Sequence, residues 1–87
     1  MGRSLPSSRS TAPEARLLAS EVHDCIRVAI EALPTGQRTV VTMRDVEGWT
    51  SEDVCNALRI SESNQRVLLH RGRTRVRRAL ERYLTGN

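Results

Sequence analysis

The sequence contains no lysine and no phenylalanine, and Trp49 and Tyr83 are its whole aromatic complement. All 14 basic residues are therefore arginine, and any core must be assembled from Leu, Val, Ile, Ala and Met. Short aliphatic side chains of this kind suit a small helical bundle. No apolar run approaches the roughly 20 residues that a membrane-crossing helix needs, and residues 1–13 lack the apolar stretch of a signal peptide. A soluble, cytoplasmic protein with no membrane contact of its own is expected. Two cysteines, Cys25 and Cys55, are too few for a disulfide framework or a zinc site, so both are read as buried thiols acting as small apolar residues. His23 has no Cys or His at ligand spacing and is expected at the surface, and no cofactor is expected.

What is present is unevenly distributed. The 87 residues allow one small domain, with a formal charge of +4. Residues 1–58 carry six Arg and eight acidic residues, whereas residues 59–87 carry eight Arg and only Glu62 and Glu81. Such asymmetry points to a polyanionic partner, most often nucleic acid; a solvated basic face or an acidic protein partner is the plainer alternative.

Residues 1–13 are rich in Ser, Pro and Arg without periodicity and read as a flexible linker or a cloning remnant, leaving 14–87 as the folded domain. From Pro13, Leu18, Val22, Cys25, Ile26, Ala29, Ile30 and Leu33 recur at three and four, the stripe of a helix that Pro34 and Gly36 should end. A second helix is expected from about Thr35 to Val46, with Val40, Met43 and Val41 inward and Glu47-Gly48 as its stop. Trp49 is read as a core anchor. Thr50 can cap a short third helix over about Ser51 to Leu58, with Asp53 reaching back as in a capping box. Arg59-Ile60-Ser61 is a tight break, and Ser61 is the natural cap of a fourth helix reaching about Leu84. The fold class is thus all-α: a four-helix domain containing a helix-turn-helix, its last helix long and basic.

Within the helix-turn-helix, Val54, Leu58 and Ile60 fall at the expected apolar positions, and Cys55 stands where close approach favours a small residue. Two positions depart from the general pattern: Arg59 occupies a turn position that commonly holds glycine, and Gln65 an inward position often β-branched. On the last helix Gln65, Leu68, Leu69, Gly72, Val76, Ala79, Leu80 and Tyr83 form the inward stripe, with Gly72 as a close packing point. The opposite face presents Ser63, Arg66, Val67, His70, Arg71 and Thr74. That chemistry suits a major groove, since Arg forks onto guanine O6 and N7, a hydroxyl serves either partner, and a valine methyl meets a thymine methyl. Arg73, Arg75, Arg77, Arg78 and Arg82 surround the helix and are read as phosphate contacts and solvated charge, with Ser61 near the helix N-terminus as a further phosphate candidate. No glycine-rich phosphate loop or paired-histidine motif is present, and His23-Asp24-Cys25 point in different directions on a helix, so an enzyme is not expected.

The run Leu33-Pro34, Gln37-Arg38, Met43-Arg44-Asp45-Val46-Glu47-Gly48-Trp49-Thr50, Asp53-Val54, Leu58-Arg59-Ile60-Ser61 and Leu69-His70-Arg71-Gly72-Arg73 resembles region 4 of extracytoplasmic-function sigma factors, the small alternative specificity subunits of bacterial RNA polymerase. The resemblance covers about residues 14–84. It implies a domain whose last helix enters the major groove of the promoter −35 element. The matching positions for base contact are Ser63, Asn64, Arg66, Val67, His70 and Arg71, and Arg73 matches a position on the DNA backbone. It also implies docking on the flap of the polymerase β subunit, capture by an anti-sigma factor, no small-molecule substrate, and a chain that is the C-terminal domain of a longer protein. Two other readings stay open: a dimeric response-regulator-type helix-turn-helix regulator, and a protein-interaction module for an acidic partner.

Overall fold

The computed structural model describes residues 13–85, with side chains from Leu18 onward; the expected linker lies outside them except for Pro13. Four helices follow in order: α1 (Pro13–Glu31), α2 (Thr35–Val41) continued by a π-helical turn (Thr42–Val46), α3 (Ser51–Leu58) and α4 (Glu62–Thr85). No strand occurs among the described residues. The chain is an all-α helix-turn-helix domain.

Each boundary has a local cause. Pro34 is extended at ψ 149° and cannot continue α1, and it serves as the N-cap position of α2. Arg38 reaches back over this corner, its Nη1 donating to the Glu31 carbonyl at 3.1 Å, which satisfies one of the acceptors that a helix end leaves open. Gly36, expected to help stop α1, instead lies inside α2: the proline suffices, and among the described glycines only Gly48 takes a positive φ, of 81°. The second helix ends where expected, but its last turn widens, with the Glu47 amide donating to the Thr42 carbonyl five residues back at 2.9 Å. Gly48 then reverses the chain, and the Trp49 amide returns to the Met43 carbonyl at 2.8 Å.

Thr50 caps α3 by accepting from the Asp53 amide at 3.1 Å. The Asp53 carboxylate makes no return bond, so half of the expected capping box forms. At the other end Arg59 adopts the left-handed conformation (φ 58°, ψ 47°), and the Ile60 amide donates to the Cys55 carbonyl at 3.1 Å, as in a Schellman motif. Ser61 Oγ accepts from the Asn64 amide at 3.0 Å and starts α4.

The other three helices all pack on α4. Leu33, Val40, Val41, Val54 and Leu69 form the buried core, with Ile30, Met43, Leu58, Ile60, Leu68 and Val76 packed around it. Gln65 is 2 % exposed and so takes the inward place its spacing assigns. Gly72 marks a close approach of α2 and α4: a Cβ there would lie 2.5 Å from Val41 Cγ2. Three expectations about burial fail. Trp49 is 40 % exposed rather than a core anchor, because the left-handed Gly48 turns it away from the packed face. Tyr83 is 44 % exposed, held at the far end of the inward stripe by a 3.2 Å hydrogen bond to Glu21 on α1. Cys25 and Cys55 are half-buried rather than buried. The described residues form a slab of 52 × 34 × 15 Å.

Candidate nucleic-acid interface

The two caps at the α3–α4 turn present the first turns of α4 to solvent, and the side chains there sort by angle around the helix. At about 100° per residue, Ser63, Arg66, Val67 and His70 share the face opposite the core, while Asn64 and Arg71 lie on one flank of it. All six are exposed, Val67 by 43 %, and Thr74 is half-buried. The structure therefore brings Ser63, Asn64, Arg66, Val67, His70 and Arg71 to one end and one side of the same helix. His70 and Arg71 open onto a groove shared with Gln37, Thr74, Arg75 and Arg78.

The phosphate candidates are more scattered. Ser61 uses its Oγ to accept the Asn64 amide, which leaves its hydroxyl proton to donate. Arg77 is exposed, three turns beyond Arg66 on nearly the same line, about 16 Å along the axis. That places it beyond the first turns of α4, which carry the base-reading candidates, where a backbone contact is the assigned role. Arg73 faces the π-helical turn and grips Asp45 in a two-pronged ion pair, Nε to Oδ2 at 2.8 Å and Nη2 to Oδ1 at 2.5 Å. The Arg73 hydrogen bond holds the Asp45 carboxyl below its ordinary range. The π-helical turn and α4 are thereby tied together just behind the exposed face.

A second pairing lies at the turn itself. Glu62 Oε1 accepts from Ser51 Oγ at 2.5 Å and from Cys55 Sγ at 3.6 Å, both on α3, while Oε2 meets Arg66 Nη2 at 3.4 Å. The Ser51 hydroxyl holds Glu62 below the ordinary carboxylate range, and burial together with the adjacent carboxylate pushes the Cys55 thiol up. A thiol so placed is a weaker nucleophile than a free one.

One alignment was not drawn out of the sequence. Arg71, Arg75, Arg78 and Arg82 follow one another at four, three and four residues, so they form a line along α4 instead of surrounding it. Arg75 and Arg78 border both the groove with Gln37 and a second one walled by Ala29, Ala32, Leu33, Ala79 and Arg82. Among the described residues, none of these four has a carboxylate within 4.0 Å. The signal was in the spacing, but the arginines interleaved at 73 and 77 hid it.

A short third helix, a left-handed turn and a capped basic helix are set on a two-helix support, and residues 23–76, covering most of that arrangement, match the family described as sigma-70, region 4. The chain belongs to this family. The region 4 match runs from the middle of α1 through the first four turns of α4 and includes every candidate base-contacting residue. Over 69 residues the domain is also 29 % identical to the RNA polymerase sigma-H factor of Pseudomonas aeruginosa, an alignment covering 79 % of this chain and 36 % of that protein. The chain thus spans about a third of the length of that relative. No solved structure matches the region 4 domain. None of its described helices is long and apolar enough to cross a membrane.

Proposed function

We propose that this region 4 domain recognises the promoter −35 element in the major groove, as the C-terminal domain of an alternative sigma factor of the extracytoplasmic-function group that directs cytoplasmic RNA polymerase to initiate transcription. The observation that carries the reading is the exposed face of Ser63, Arg66, Val67 and His70 on a helix whose first turn is fixed by Ser61 and Glu62. Base edges are read by side chains held at the start of a rigid helix, while the line from Arg71 to Arg82 supplies neutralising charge for the phosphates.

Docking on the β flap of polymerase, and capture by an anti-sigma factor, belong to the same proposal. A groove between α1 and the π-helical turn supports it, lined by Ile26, Ile30, Thr42 and Val46 together with His23, Arg27 and Glu31, with Val46 64 % exposed. A single recognition helix makes few contacts, so the isolated domain binds duplex DNA weakly.

Replacing Arg66 by Glu tests the assignment. The variant should lose −35-dependent transcription in the intact sigma factor while the circular dichroism of the 87-residue chain stays unchanged; normal transcription from the variant refutes the role. Arg66→Lys should also be impaired, because the bidentate fork is lost. A preference for a palindromic duplex bound by two copies would favour the dimeric regulator instead.

A further inference from the structure

An acidic residue in the first turn of a helix is ordinarily explained by the helix dipole. Glu62 does more than sit there. One oxygen of its carboxylate is held from α3 by Ser51 at 2.5 Å and Cys55 at 3.6 Å, and the other oxygen faces the Arg66 guanidinium at 3.4 Å. A hydroxyl-to-carboxylate bond this short is charge-assisted, so the carboxylate is fixed in orientation by the preceding helix. Arg66 has no other carboxylate within 4.0 Å among the described residues, and its side chain is 69 % exposed. Without Glu62 that long side chain would sample many rotamers.

We propose that Glu62, anchored by Ser51, is a positioning residue that sets the orientation of Arg66 and thereby sharpens discrimination at the base pair Arg66 meets. The inference rests on the DNA-reading function proposed above. An arginine distinguishes guanine only when its fork lies in the plane of the base edge, and ordering it at the moment of binding opposes association. Pre-orientation removes part of that opposition for the matching site alone. Glu62 also sets a negative charge where phosphates approach, which weakens binding to every duplex regardless of sequence. One carboxylate therefore acts on specificity through the aligned contact, and on affinity for every duplex through its charge.

The test measures equilibrium binding of the 87-residue chain to two duplexes: one selected from a randomised pool, and one carrying the single base-pair change whose penalty Arg66→Ala reduces most while leaving some preference. Glu62→Gln should reduce discrimination between the two by about 1.5- to twofold, and should raise affinity for the mismatched duplex by about twofold at low salt, as expected for one exposed pair and one removed anion. In the Arg66→Ala background, Glu62→Gln should no longer change discrimination. Ser51→Ala, which frees the carboxylate but keeps its charge, should lower discrimination without the gain in mismatched binding. It also carries the test if Glu62→Gln melts below the assay temperature. Unchanged discrimination in Glu62→Gln overturns the inference, as does an equal loss in the Arg66→Ala background, which would make Glu62 a direct reader of the base. A wild-type chain with no sequence preference overturns the DNA reading and this inference together, whereas a selective wild type with a fully selective Glu62→Gln overturns this inference alone.

Discussion

Gly72→Ala should destabilise the domain even though it improves the helix. Alanine is better than glycine in a helix interior by about 1 kcal/mol, so at an open position the change would raise stability. Here the new Cβ would lie 2.5 Å from Val41 Cγ2, with Gln37 Cβ at 3.4 Å behind it. Carbon atoms in contact prefer about 3.5–4.0 Å, so roughly an ångström must be found. Val41 cannot easily yield it: it is 3 % exposed and β-branched on a helix, where one rotamer dominates. Overpacking of this kind costs about 1–3 kcal/mol. Set against the propensity gain, the net loss is about 1 kcal/mol, a fall of roughly 4–8 °C in melting temperature for a domain of this size. Thermal unfolding followed by far-ultraviolet circular dichroism measures it. The decisive comparison is in a Val41→Ala background, which itself costs about 2 kcal/mol and is best measured in a stabilising osmolyte. With the obstructing methyl gone, Gly72→Ala should become stabilising by about 1 kcal/mol. If it stabilises to the same extent in both backgrounds, α2 and α4 do not approach as closely at Gly72 as described.

Other perturbations probe separate parts of the structure. Arg59→Gly should raise stability by about 0.5–1 kcal/mol, because the left-handed conformation costs a residue with a Cβ about 1–2 kcal/mol and the freer unfolded chain returns part of that; a loss measured by urea unfolding would mean the arginine side chain contributes to the turn. Asp45 has its folded pKa held below the unfolded value near 3.8, so its bond to Arg73 stabilises above that value and is lost as pH falls through the folded one. Asp45→Asn should therefore be less stable than wild type near pH 7, by less than about 1 kcal/mol for a pair this exposed, and the two melting curves should converge towards about pH 2; a constant gap would deny the ion pair its role. Neutralising Arg75 and Arg78 together should flatten the dependence of DNA affinity on salt by nearly two phosphates' worth and leave base preference intact, and an unchanged slope would remove the arginine line from the interface.

Much of the fold was legible because its punctuation is local. Pro34 stops α1 through its own backbone, Thr50 and Ser61 each start a helix through their hydroxyls, and the structure places them there. The outward face of α4 was legible for the same reason: helical spacing alone separates Arg66 and His70 from Leu69 and Gly72. What escaped depends on pairs distant in sequence. Nothing near Asp45 announces that Arg73 will hold it 28 residues later, and the widened turn from Thr42 to Val46 has no composition to mark it. Trp49 misled because size suggests burial, whereas its place is decided by the left-handed glycine before it. Arg59 and Gln65 depart from the general pattern in residue type, yet both occupy the places the pattern assigns, one left-handed and one buried.

The core enclosed between the helices is shallow: Val40 and Val54 are the largest side chains that it encloses completely. A structure so shallow keeps little free energy in reserve, and any partner that binds its folded form adds stability in proportion to the logarithm of its free concentration over the dissociation constant, about 2.7 kcal/mol at a hundredfold excess. Proteases sample the opened chain, so occupancy governs survival. Under the proposed function, copies seated on polymerase or on an anti-sigma factor would outlast idle ones, and the cellular half-life of the domain would report how much of it is engaged.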